Sequence, residues 1–92
     1  MTDFSYLIGY VIASTYRKKV ISILKEEALT PNTISKKTGL YPSHVSQTLS
    51  ELTEKKLVVC LTPKLKKGRL YELTSDGKNV LKHIKSHFTN EE

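Results

Sequence analysis

Ser43, His44, Ser46, Gln47 and Ser50 crowd hydrogen-bonding side chains into one short stretch. On a helix, Ser43, His44, Gln47, Ser50 and Glu54 would share one face. Short polar side chains are poor helix formers and gain little on such a face unless they contact something. Glutamine can bond N6 and N7 of adenine, and His44 can reach a base edge or a phosphate. Ser43 and Ser46 can donate to a phosphate, helped by the positive end of their helix. Lys64, Lys66, Lys67 and Arg69 form a second group, able to track a phosphate backbone or to place Arg69 in a minor groove. Lys36 and Lys37 precede the polar stretch. From Lys36 to Arg69 eight bases face two acids, which accounts for the whole net charge of +6. Basic charge concentrated on one motif suits a polyanion, here double-stranded DNA. The plain alternative is a polar helix face beside a solvated basic surface.

Other chemistry is poorly supplied. No nucleophile stands in a pattern that would activate it, so the chain reads as a non-enzyme. His83 and His87 have a spacing that can hold zinc. No Glu, Asp or Cys is fixed beside them in sequence, so no metal and no cofactor is expected. Cys60 excludes an internal disulfide, being alone. It reads as a small buried hydrophobe. Four glycines, scattered at 9, 39, 68 and 77, form no phosphate loop. Tyr71 reads as core.

The elements that must carry these residues follow from local signals. Pro42 suits a first helical position, and Tyr41 before it is biased out of the helical region. A helix is expected from Pro42 to about Lys56, with Val45, Leu49 and Leu52 as its apolar stripe. Thr30 and Pro31 open a short helix over Pro31–Thr38 with Ile34 inward, and Gly39 ends it. Lys36 and Lys37 sit where its dipole favours cations. Ser14 to Ala28 reads as a helix buried through Tyr16, Val20, Ile23 and Leu24, with Arg17, Lys18 and Lys19 solvated outside. Leu57–Leu61 and Arg69–Leu73 read as strands about a loop at Thr62–Gly68. Thr74 caps a last helix with Asp76 in its first turn and Val80, Leu81, Ile84 and Phe88 inward. Residues 90–92 should fray.

Thr2–Ala13 fits helix and strand periodicities alike, and helix is the reading taken. Its large apolar side chains exceed what one small core needs. A chain of 92 residues makes one domain, over 1–92, near the lower limit for a self-sufficient core. The surplus predicts a homodimer through residues 1–13, with Phe4, Leu7, Ile8, Val11 and Phe88 at the seam. The longest apolar run is too short to span a bilayer, so no membrane partner is expected. It lacks the flanks of a signal peptide, and a cytoplasmic protein is expected.

The segments TPNTISKKTGL, SHVSQTLSELTEKKLV and KGRLYELTSDGKNVL, in that order, resemble the winged helix-turn-helix transcription regulators of the MarR and ArsR kind. The resemblance covers Ser14 to about Phe88. It implies an α+β, mostly α fold: a three-helix core, a two-stranded hairpin wing and flanking terminal helices. It implies a sequence-specific regulator with its recognition helix, about 42–56, in the major groove and its basic wing, 62–69, on the backbone or in the minor groove. Winged helices also serve as non-specific chromatin-type binders and as protein-interaction modules. The chain departs from the MarR pattern in lacking long terminal helices. It departs from metal-sensing ArsR proteins in lacking paired cysteines, so no effector or metal site carries over.

Overall fold

A computed structural model describes residues 4–88, with side chains from 4 to 85. The expectations for the side chains of His87 and Phe88, and for residues 90–92, lie outside what it describes. The elements are α1 (Phe4–Ile12), α2 (Thr15–Ile23), α3 (Pro31–Thr38), α4 (Pro42–Glu54), β1 (Val58–Cys60), β2 (Tyr71–Leu73) and α5 (Ser75–Phe88). Of the ambiguous N-terminal segment, residues 4–12 are helical. Its Leu7 and Val11 are buried among this chain's own core residues.

α2 is the central element and packs against α1, α3, α4 and α5. A helix with neighbours on several sides buries more than one stripe. Val20, Ile21 and Leu24 are enclosed, Ile23 is half-buried, and Tyr16 is exposed rather than buried. α2 also stops at Ile23, short of Ala28. The chain bends there, and Leu29 then exchanges both backbone hydrogen bonds with Tyr71, at 2.9 Å each. Leu29 thus adds one rung to β2 on the side away from β1.

α3 forms as its caps dictate. Thr30 Oγ1 accepts from Thr33 N at 3.2 Å, and Gly39 ends the helix at φ 77°. α4 begins at Pro42 and buries Val45, Thr48, Leu49 and Leu52. It ends at Glu54, two residues before Lys56. Lys56 N donates to Thr53 O and Leu57 N to Leu52 O, both at 2.9 Å. This double closure needs a left-handed residue, usually glycine. Lys56 supplies it at φ 63°.

β1 and β2 pair antiparallel, with Val58 opposite Leu73 and Cys60 opposite Tyr71. Both strands are shorter than expected, and the loop between them runs from Leu61 to Leu70. Thr74 joins the ends of two helices. Its hydroxyl donates to Lys56 O at 2.7 Å and accepts from Gly77 N at 3.0 Å. Leu57, Leu73, Val80, Leu81 and Ile84 complete one core under α4 and the hairpin.

Candidate nucleic-acid interface

α4 presents Ser43, Ser46, Gln47 and Ser50 to solvent along one side. Val45, Leu49 and Leu52, wholly buried, fix its rotation and so hold those four outward. Its N-terminus has no side-chain cap. The first intrahelical bond is Val45 N to Tyr41 O at 3.0 Å. An uncapped first turn aims backbone donors outward, which suits an anion.

His44 is half-buried, unlike its neighbours. Its ring stacks on Tyr16 with centroids 4.6 Å apart and planes at 24°. Tyr41 lies tilted beside it at 5.9 Å. The structure therefore gives His44 a packing role at the α2–α4 junction, with only part of the ring left to meet a ligand. Tyr16 and Tyr41 are the residues that sequence reasoning missed here. Tyr41, 74% exposed, stands at the very start of α4. Its signal was available, because a large aromatic in a turn before proline has no helix of its own to pack.

The basic residues fall into two groups. Lys64, Lys66, Lys67 and Arg69 are all exposed on the loop between β1 and β2. A cleft of about 380 Å³ between that hairpin and α4 is lined by Ser50, Thr53, Glu54, Cys60, Arg69 and Tyr71. It brings Ser50 and Arg69 together. One guanidinium donor of Arg69, Nε, is committed to Leu65 O. Lys36 and Lys37 are exposed in the last turn of α3. Lys37 lines an open groove with Lys18 and Lys19 of α2, which shares no residue with the Ser50–Arg69 cleft. It also lies 4.0 Å from Glu27.

Arg17 is not the solvated charge that its neighbours suggest. Its Nε donates to Glu51 Oε1 at 3.2 Å, and an Nη donates to Tyr10 O at 2.7 Å. Its guanidinium lies 3.8 Å from the Tyr10 ring centroid. One side chain of α2 thus ties α1 to α4. Lys55 extends the cluster, 5.2 Å from the rings of both Tyr6 and Tyr10. A hydrogen bond with Tyr6 holds its ammonium above the usual lysine range. Lys25 pushes the ammonium of Lys85, on α5, below that range.

The expected seam residues divide. Leu7 and Val11, at 4% and 0% exposure, have no surface to offer a second chain, because α5 and α2 cover them. Phe4 and Ile8 are half-buried, and Tyr6 is the exposed large side chain of α1, at 52%. His83 Nδ1 contacts Asn79 O at 2.9 Å, and its ring meets Phe4 edge-on. No group of three or more metal-ligating side chains occurs among the described residues. No described helix is long and apolar enough to cross a membrane.

No family model and no curated protein matches the chain by sequence. Solved structures do match by shape. A ZitR mutant from Lactococcus lactis superposes with a TM-score of 0.73 over 83% of this chain at 22% identity. NMB1585, a MarR family regulator from Neisseria meningitidis, gives 0.73 over 96% at 24% identity. A mutant of TubR, a type III plasmid segregation protein, gives 0.82 over 98% at 9% identity. The chain spans about half the length of the ZitR structure (53%), 66% of NMB1585 and 97% of TubR. At such identities the likeness is one of fold. The helix-turn-helix of α3 and α4, closed by the β1–β2 hairpin, gives this chain the winged helix fold found in MarR-type regulators.

Proposed function

We propose that the chain is a sequence-specific regulator of transcription that binds double-stranded DNA, with α4 in the major groove and the wing on the backbone or in the minor groove. The observation that carries this reading is the uncapped, solvent-facing start of α4 with Ser43, Ser46, Gln47 and Ser50 beside the wing that holds Arg69. Gln47 reads a base edge. Ser43, Ser46 and the first-turn N–H groups bind phosphate. Ser50 and Arg69 act from one cleft. Lys64, Lys66 and Lys67 neutralise backbone charge, and Lys36 and Lys37 add a flanking field. His44 orients the helix start through Tyr16 as much as it contacts DNA. A duplex partner implies a cytoplasmic site of action. Selection of bound sequences from random duplex DNA tests the reading. A defined motif supports it, and equal affinity for all duplexes overturns the claim of specificity.

The likeness to a plasmid segregation protein of nearly the same length favours a second reading, a DNA-binding protein outside transcription. A selected motif that occurs as clustered repeats, and a protein that leaves transcription from an adjoining promoter unchanged, would favour it. Failure to bind any duplex at low salt would leave only a protein-interaction module.

We further propose a homodimer on a pseudo-palindrome, with two copies of α4 about one duplex turn, roughly 34 Å, apart. Tyr6 and the half-buried Phe4, Ile8, Tyr10 and Ile12 are the part of α1 that remains for a seam.

A further inference from the structure

Three large aliphatic side chains stand out into solvent among the described residues, and all three belong to the wing: Val59, Leu61 and Leu65, 40%, 44% and 48% exposed. Val59 and Leu61, two apart in extended chain, share a face. Leu61 N donates to Leu70 O at 2.7 Å and carries the ladder past β1. Beyond it the loop is tied at several points. Leu65 N donates to Thr62 O at 3.1 Å, and Leu70 N donates to Thr62 Oγ1 at 3.0 Å. Arg69 Nε donates to Leu65 O. Leu61, Thr62, Pro63, Lys64 and Leu65 border an open apolar hollow of about 350 Å³.

A loop kept only for charge needs lysines alone. This one holds a leucine in water on a fixed backbone, between Lys64 on one side and Lys66, Lys67 and Arg69 on the other. A duplex with one opened base step offers the matching surface, with phosphates to either side and an apolar slot between. Proteins that bind the minor groove insert leucine, proline and similar side chains as such wedges. We propose that Leu65 is an apolar wedge that unstacks a base step in the minor groove beside the site read by α4. The inference rests on the DNA-binding reading above. It assigns Leu65 a deformation of the duplex that lysines cannot perform. Sequences with a flexible pyrimidine–purine step at that position would then bind best, because such steps open most easily.

The test uses the full chain and a duplex bound in the selection, carrying a single 2-aminopurine moved position by position. Fluorescence should rise several-fold at one or two adjacent positions. Leu65→Ser should abolish the rise and leave the salt dependence of binding unchanged, since no charge is lost. Leu65→Phe should retain it. Tight binding with no rise anywhere, or a rise that survives Leu65→Ser, overturns the wedge alone. Absence of binding to any duplex overturns the DNA reading and the wedge together. Anionic vesicles of phosphatidylcholine and phosphatidylglycerol, mixed three to one, provide the other arm. Leu65-dependent binding to them without any unstacking of DNA would assign the patch to a lipid surface and overturn the proposal.

Discussion

Gln47 lies on α4 and Lys56 just beyond its end, and the two answer different questions. Gln47 is exposed, uncharged and on the outward face of α4. Gln47→Ala should cost about 1–3 kcal/mol on the selected site and relax preference at one base position. Binding to random duplex should hardly change. Equal losses on both would make Gln47 a phosphate contact instead. Lys56 occupies a left-handed conformation that a side chain resists. Lys56→Gly should therefore stabilise the fold by about 1 kcal/mol, read as a higher urea midpoint at unchanged slope. Much at this scale was legible beforehand. Thr30, Pro31, Gly39 and Pro42 act on their own backbone, and each did what its chemistry dictates. Arg17 was not legible, because its partner Glu51 lies 34 residues away in sequence. Tyr16 was misread for a related reason, because only the arrival of His44 decides which side of α2 it faces.

Among the elements, the wing and the start of α5 carry the sharpest expectations. If about five phosphates are neutralised per chain, binding should fall with salt at a log–log slope near −4 to −5 per protomer. Replacing Lys64, Lys66 and Lys67 by alanine should flatten that slope by roughly 3 and weaken all sequences alike. An unchanged slope would take the wing off the DNA. Gly77 is set by close approach. A Cβ there would sit 2.1 Å from Leu57 O, a backbone atom already bonded to Thr74 N. Gly77→Ala should destabilise by about 1–3 kcal/mol, as overpacking does. No loss in the denaturation midpoint would mean that α5 can shift freely. The hairpin was readable from its β-branched run and its bounding Pro63 and Gly68. Its true length was not, because pairing depends on where α4 releases the chain and on the rung that Leu29 adds.

For the whole molecule the open question is assembly. Leu7 and Val11 belong to the core of this chain, so deleting α1 would remove packing along with any seam. A surface substitution is the cleaner test. Tyr6→Glu should halve the mass seen by light scattering while the melting midpoint holds. A dimer that survives it would remove α1 from the seam, and a native protein that is monomeric at high concentration would remove the dimer. The surplus of apolar residues in the first segment was visible in sequence. Its division between core and surface was not, since that depends on where α5 lies against α1.

Helices at the periphery of a domain usually open first, at little cost in free energy, and exchange their amide protons early. Arg17 denies α1 that freedom. Opening α1 would break the bond from Arg17 to the Tyr10 carbonyl, strip the guanidinium of the Tyr10 ring, and expose Leu7 and Val11. α1 and α4 should therefore exchange as one cooperative unit, with protection of the inner amides of Ile8 and Val11 close to that of Leu49. Arg17→Met keeps the aliphatic stem and removes the charge. It should cost about 1–3 kcal/mol overall and release α1 to exchange well ahead of α4.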